Sequence, residues 1–164
     1  MLLIALSLVF PVVMVLAMVS DFRRFEIPNS LSLILISAYP LAAIIGGLSG
    51  QAILWAFALG ALMLVVMMVL FRLGLMGGGD CKLLSAAALW TGQEYLLEFL
   101  LITSIAGGIL SLVLLLYRRL PLAAVLSGSP TMRQMHGTEK NVPYAVAIGA
   151  AGLMVYPYLP IFVR

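Results

Sequence analysis

The chain has 164 residues, of which 64% are apolar and only 9% are charged, whereas soluble domains average roughly 45–50% and 25%. With nine basic and six acidic side chains and a mean hydropathy of +1.20, it lacks the polar surface of a water-soluble domain, so lipid is the expected solvent. One cysteine and one histidine exclude a disulfide framework and a cysteine-built or histidine-built metal cluster, and a net charge of +3 is too small to indicate nucleic-acid binding.

Apolar runs of about 20 residues, long enough to cross a bilayer as helices, occur five times, and only the one at 95–117 contains a charged residue, Glu98. They cover residues 2–20, 30–48, 52–71, 95–117 and 142–162. The first lacks a basic segment in front of it and is longer than the core of a usual secretory signal, so we expect it to be retained. A shorter apolar segment at 81–91 is predicted to be a sixth span, which needs an irregular loop before it or local thinning of the bilayer.

The runs are continuous, which excludes the alternating pattern of barrel strands. The sequence therefore predicts an all-α, polytopic membrane protein: a bundle of six transmembrane helices with the fourth one short. At the start of the second span, Pro28 pushes Ile27 out of the helical conformation. Asn29 or Ser30 is then expected to cap that helix.

The basic residues divide unevenly between the two sides of such a bundle. One side carries only Arg164, and the other carries Arg23, Arg24, Arg72, Lys82, Arg118, Arg119, Arg133 and Lys140. Under the positive-inside rule, segments 21–29, 72–80 and 118–141 are predicted to be cytoplasmic, with both termini on the extracytoplasmic side. Without the short span at 81–91, the basic residues of 118–140 would move to the opposite face and most of the asymmetry would disappear.

Four of the six carboxylates are expected to be ordinary surface charges. Glu94 and Glu98 belong to the predicted outer turn between the fourth and fifth spans, and Glu26 and Glu139 lie in polar loops among basic residues. The other two differ in their predicted depth.

Asp21 ends one uncharged run and Asp80 begins the short span, so both are predicted at the cytoplasmic edge of the hydrocarbon. An ionisable residue at membrane depth is costly, and it marks a functional site by default. The alternative is that both are boundary charges, with Asp21 paired to Arg23 or Arg24 and Asp80 to Lys82.

Three glycines, Gly77, Gly78 and Gly79, directly precede Asp80. Each costs about 1 kcal/mol in a helix relative to alanine, but together they provide a bare, flexible backbone beside an acid. A phosphate-binding loop is a poor alternative because the Lys and Ser/Thr of that motif are missing and Asp80 would repel a phosphate.

Two aspartates on different helices, with glycine-rich backbone next to one of them, are the components of an aspartyl peptidase. Such a pair shares one proton: the ionised carboxylate takes a proton from water and the neutral carboxyl donates a hydrogen bond to the scissile carbonyl. The sequence does not decide which of Asp21 and Asp80 is the base.

Two segments carry a resemblance to a known family. They are DFRRFEIPN at 21–29 and GGGDCKL at 77–83, with VPYAVAI at 142–148 as a weaker third match. With these segments the sequence resembles the type IV prepilin peptidases, which are G-x-G-D membrane aspartyl peptidases, in the short form associated with Flp/Tad pili.

The resemblance implies a single transmembrane peptidase domain over 1–164 that needs no cofactor or metal. It would lie in the bacterial inner membrane with its active site facing the cytoplasm, and it would remove the short basic leader from the helix of a prepilin or pseudopilin. Carried over by position, Asp21 and Asp80 are the catalytic pair. The remaining motif or substrate-proximal positions are Gly77, Gly78, Gly79, Lys82, Pro28 and Asn29.

Several roles stay open at this level. Lys82 is equally well explained as a cation at the start of a helix that reaches the lipid headgroups, and Cys81 is expected to be a packed thiol rather than a nucleophile. Because a basic leader would be repelled by Arg23 and Arg24, Glu26 or Glu139 is a candidate for its recognition.

Longer relatives in that family carry an additional cytoplasmic region, often with four cysteines, and also N-methylate the mature pilin. Here the cytoplasmic loops are short and the cysteine tetrad is absent, so we expect cleavage without methylation. Two other functions remain alternatives: a small proton-coupled transporter with Asp21 and Asp80 as relay carboxylates, and a noncatalytic assembly component of a pilus or secretion system.

Overall fold

The computed structural model describes residues 1–119 and 142–162, with the side chains of 118 and 119 left out. The described residues contain helices and short connections and no strand, which confirms the predicted all-α class. The helices are α1 (Leu2–Ser7), α2 (Val9–Arg24), α3 (Asn29–Ile45), α4 (Gly50–Arg72), α5 (Gly78–Arg119) and α6 (Tyr144–Val155), followed by a 3-10 turn at Tyr156–Tyr158.

Within these described ranges, three stretches are long and apolar enough to cross a membrane, namely Leu2–Arg24, Gly50–Arg72 and Gly78–Tyr117. The helices Asn29–Ile45 and Tyr144–Tyr158 are also apolar but shorter. The number of spans, the single domain and the side on which the termini lie remain predictions. Glu139 lies outside the described residues.

Helix α5 is divided at Gly92, whose φ of 59° and ψ of −172° are not helical. A straight helix would place Asp80 and Ser111 about 46 Å apart at about 1.5 Å per residue, yet both line the same cavity. The chain therefore reverses at Gly92. The predicted short span at 81–91 falls in the first segment of α5 (78–91), and the predicted span at 95–117 falls in the second (93–119).

The first segment of α5 forms the centre of the bundle. Its Leu83, Ala87 and Trp90 side chains are fully buried, and the Trp90 indole Nε1–H donates a hydrogen bond to the Leu35 carbonyl of α3 at 3.1 Å. The rings of Phe10 and Tyr39 pack against the indole, with centroids 5.4 and 5.8 Å away. The short helix that carries Asp80 is therefore the one most enclosed by its neighbours.

Helices α2 and α6 pack against each other in antiparallel order. The Phe10 ring stacks on Tyr156, Gly152 faces the Met14 side chain, and Gly149 faces Met18. A Cβ on Gly149 would collide with the Met18 side chain, so the close approach depends on this glycine. In this register the first turn of α6 lies beside the last turn of α2.

Gly92 generates the first prediction. We expect Gly92→Ala to lower the free energy of unfolding by about 1–3 kcal/mol, because these backbone angles are almost restricted to glycine. Its Cβ would also lie 3.2 Å from Pro160 Cγ. The measurement is SDS-induced unfolding of the protein in mild detergent. Gly50→Ala, whose Cβ would meet nothing within 4 Å, is the control, and equal stability of the two variants would contradict the assigned turn.

Candidate active site

Asp21 lies in the last turn of α2 and is only 6% exposed. Its Oδ2 accepts a buried hydrogen bond of 2.8 Å from the backbone N–H of Ala145, in the first turn of α6. The antiparallel packing of α2 and α6 makes this contact possible. An unsatisfied N–H at a helix N-terminus, together with the helix dipole, stabilises a negative charge on the carboxylate.

Helix α2 ends sharply after Asp21. Phe25 adopts the left-handed conformation, with φ of 54° and ψ of 31°, and its N–H donates to the Asp21 carbonyl at 2.8 Å. This backbone is uncommon for a bulky residue. The turn brings Phe25 into the wall of the cavity described below, whereas Glu26 is exposed.

Asp80 lies in the first turn of α5. Its carboxyl accepts a hydrogen bond from the Gly77 backbone amide, and a Cβ on Gly77 would lie 2.7 Å from Asp80 Oδ2. The other carboxyl oxygen, Oδ1, is buried and has no hydrogen-bond partner among the described residues. Gly77 therefore leaves room for the acid while its amide binds one of the two oxygens.

The next two glycines admit neighbouring elements. A Cβ on Gly78 would lie 3.2 Å from the Phe71 ring, and a Cβ on Gly79 would lie 3.0 Å from Ile27 Cβ. Such distances are at the short limit for packed carbon atoms. Gly78 thus lets the end of α4 approach, and Gly79 lets the α2–α3 connection approach the start of α5.

Asp21 and Asp80 line one cavity of about 770 Å³. Its walls come from the ends of α2 and α4, the loop at 74–77, both segments of α5 and the start of α6. The two carboxyls are close enough to interact electrostatically. The fold therefore brings together two acids from remote parts of the chain, although their catalytic role remains a prediction.

The boundary-charge alternative finds no support in the contacts. Among the described residues, no ion pair joins Asp21 to Arg23 or Arg24, or Asp80 to Lys82. The Lys82 ammonium instead donates to Asn29 Oδ1 at 2.9 Å.

The predicted capping of α3 by Asn29 or Ser30 is wrong. The N-cap position is Pro28, and no side chain makes a capping hydrogen bond there. The side-chain oxygen of Asn29 instead accepts a hydrogen bond from the Lys82 ammonium. These two motif positions therefore link the start of α3 to the start of α5. Lys82 is exposed and does not line the cavity of the two acids.

Cys81 is buried, and its thiol donates to the Met67 carbonyl at 3.2 Å. This contact agrees with a packed thiol. Within residues 1–119 and 142–162, no group of three or more His, Cys, Asp or Glu side chains could hold a metal ion.

Three features of the cavity escaped the sequence analysis. The Ala145 amide is a backbone group, so no side-chain pattern could reveal it. Tyr144 is half-buried in the wall, with its ring and hydroxyl against Gly107, and its only signal was the V-P-Y match at 142–144. Thr103 also lines the cavity, and its Oγ1 is buried without a partner among the described residues.

Comparison with known proteins supports the family suggested by these motifs. A sequence model of the type IV leader peptidase family matches residues 8–112, a region that includes Asp21 and the G-G-G-D segment at 77–80. No curated protein and no solved structure matches the chain.

The contact between Gly107 and Tyr144 gives the second prediction. A Cβ on Gly107 would collide with the Tyr144 ring, so we expect Gly107→Ala to displace the start of α6. The resulting overpacking should lower the free energy of unfolding by about 1–3 kcal/mol. The neighbouring Gly108→Ala has open space around its Cβ and should be neutral or stabilising by up to about 1 kcal/mol. Two SDS-unfolding curves that shift in the same direction by the same amount would disprove the contact.

Proposed function

Because the chain belongs to the type IV leader peptidase family, we propose that it is a membrane-embedded aspartyl endopeptidase with Asp21 and Asp80 as its catalytic pair. The observation that carries the proposal is the cavity of about 770 Å³ lined by both carboxyls. The family match covers both aspartates. An aspartyl peptidase needs two acids within reach of one substrate amide and one water, and a cavity lined by both carboxyls supports such an arrangement.

The surroundings of the two acids differ in a way that supports distinct roles. Asp21 accepts the Ala145 N–H at the start of α6, a contact that favours the carboxylate form. Asp80 also accepts a backbone N–H, from Gly77, but its other oxygen is buried without a partner among the described residues, which is costly for a charged group and suits a protonated carboxyl. In the proposed mechanism Asp21 is therefore the base and Asp80 is the acid.

The proposed reaction uses only these two groups and water. Asp21 takes a proton from the water as its oxygen bonds to the scissile carbonyl carbon, while Asp80 gives its proton to the carbonyl oxygen. The tetrahedral intermediate then collapses: the amide nitrogen receives the proton held by Asp21, the C–N bond breaks, and the hydroxyl proton returns to Asp80. The carboxyl pair ends with the one proton it held at the start.

The substrate we propose is the leader peptide of an Flp-like prepilin or pseudopilin, cleaved at the cytoplasmic face of the inner membrane. The unequal distribution of basic residues supports this orientation. Asp21 lies just before Arg23 and Arg24, and Asp80 lies a few residues after Arg72, so both acids are close to segments predicted to be cytoplasmic.

A basic leader would be attracted by an acidic side chain near the cavity. Glu26 is exposed one residue beyond the cavity-lining Phe25, so it is our candidate for that contact; Glu139 stays a second candidate.

The third prediction tests the paired acids. Asp21→Asn and Asp80→Asn should each lower the rate of leader removal by about 10²–10⁴-fold, since each removes one half of the proton transfer. The assay is co-expression with an Flp-type prepilin in cells without other prepilin peptidases, followed by the ratio of cleaved to uncleaved pilin over time.

Glu98→Gln is the matched control, because Glu98 is an exposed acid of α5 that does not line the cavity. It should process the prepilin at the normal rate. Membrane insertion of every variant is verified by fractionation. Normal cleavage by either aspartate variant would refute the proposed catalytic pair. The alternatives would then be a proton-coupled transporter or a noncatalytic assembly component.

The fourth prediction concerns the product. The mature pilin amino terminus released by this protein alone should carry no methyl group, since the chain lacks the cysteine tetrad expected of the methylating relatives. Intact-mass measurement of the processed pilin decides the matter. A methylated amino terminus that appears only when this protein is present would overturn the assignment.

A further inference from the structure

A second concave site lies on the opposite side of the short helix from the two acids. It is an apolar groove of about 440 Å³ between α3, α4 and the first segment of α5. Asp80 and Leu84 line the acid cavity, whereas Lys82, Ser85 and Leu89 line the groove. Because a helix places residues three or four apart on one face, the same helix serves two separate sites.

We propose that this groove binds an anionic glycerophospholipid, with the headgroup phosphate at Lys82 and one acyl chain along the apolar wall. The wall is built from aliphatic and aromatic side chains, and Leu33 and Ile36 on α3 are 63% and 40% exposed. The groove therefore opens on the outside of the bundle. This is the surface that a bilayer covers if α3 and α4 span it.

The headgroup end of the groove is cationic. Lys82 is exposed, and its ammonium bonds to the neutral Asn29 amide rather than to a carboxylate of the described residues. Its charge is thus available to a phosphate. A lysine near an anionic membrane surface contributes about 1 kcal/mol to binding, whereas a zwitterionic headgroup offers less net attraction.

Two further groups at this end can donate to a phosphate or to a glycerol ester. Helix α3 begins at Asn29 without a side-chain cap, and free N–H groups at a helix N-terminus favour phosphate oxygens. Ser32 lines the groove and is 4% exposed, yet its Oγ has no hydrogen-bond partner among the described residues. A buried hydroxyl without a partner indicates a missing polar ligand.

The size of the groove favours an acyl chain over a protein helix. One turn of helix with its side chains, about 10–12 Å across and about 5.4 Å long, occupies roughly 400–600 Å³. The whole groove of about 440 Å³ therefore matches a single helical turn, far short of a membrane-spanning helix. An extended hydrocarbon chain is thinner than a helix, so it is the occupant that a groove of this volume favours.

The test measures lipid binding and does not depend on peptidase activity. The full chain, purified in neutral detergent, is titrated with phosphatidylglycerol or phosphatidylcholine of identical acyl chains, and the bound lipid is counted by native mass spectrometry. We expect preferential binding of phosphatidylglycerol. Lys82→Gln should weaken that binding about fivefold, the equivalent of one basic residue. Ala61→Trp, which fills the groove from the exposed face of α4, should weaken the binding of both lipids.

Arg72→Gln is the matched control, because Arg72 is an exposed cation at the end of α4 that does not line the groove. It should bind both lipids as the native chain does. Phosphatidylglycerol binding that is unchanged in both Lys82→Gln and Ala61→Trp would overturn the proposal. If free glycerol phosphate competes equally well with phosphatidylglycerol, the groove is a site for soluble phosphates. If Ala61→Trp still binds lipid but no longer crosslinks to a prepilin, the groove binds a substrate helix.

Discussion

The hydrogen bond from the Ala145 amide to Asp21 Oδ2 is the interaction on which the geometry of the candidate site depends. It joins the end of α2 to the start of α6, two elements far apart in the chain. The contact requires α6 to lie close along α2, and this proximity requires small residues: Gly149 and Gly152 admit the Met18 and Met14 side chains. The hydrogen bond to Asp21 thus depends on close packing about one and two helical turns further along α6.

Glycines also make close packing possible around the second acid, Asp80. Gly77 makes room for Asp80 itself, and Gly79 makes room for Ile27 before α3. Gly92 supplies the backbone angles that reverse the chain, so the second segment of α5 returns to line the cavity. Gly79 lowers the helix propensity of the first turn of α5, but without side chains at Gly77 and Gly79 the Asp80 and Ile27 side chains can pack close to this backbone.

The first segment of α5 unites the two proposed sites. Its central side chains are buried in the bundle, one face presents Asp80 to the acid cavity, and another presents Lys82 to the apolar groove. The two neighbouring charges of the G-G-G-D-C-K segment therefore have different environments. Water and a peptide amide suit the first, and a lipid headgroup suits the second. A change in the tilt of this helix would alter both sites, because it is their common wall.

The sequence by itself determined the all-α class and the division of α5 into a short and a long apolar segment, and it singled out Asp21 and Asp80 as the candidates among six carboxylates. These follow from local properties: the length of uncharged runs, the rarity of acids at membrane depth and a glycine-rich segment beside one of them. Only the tertiary structure decided that both acids line one cavity, that the Ala145 amide serves Asp21 and that Lys82 binds Asn29 instead of either acid. Backbone donors leave no side-chain pattern, and the contact between Lys82 and Asn29 depends on how α3 packs against α5.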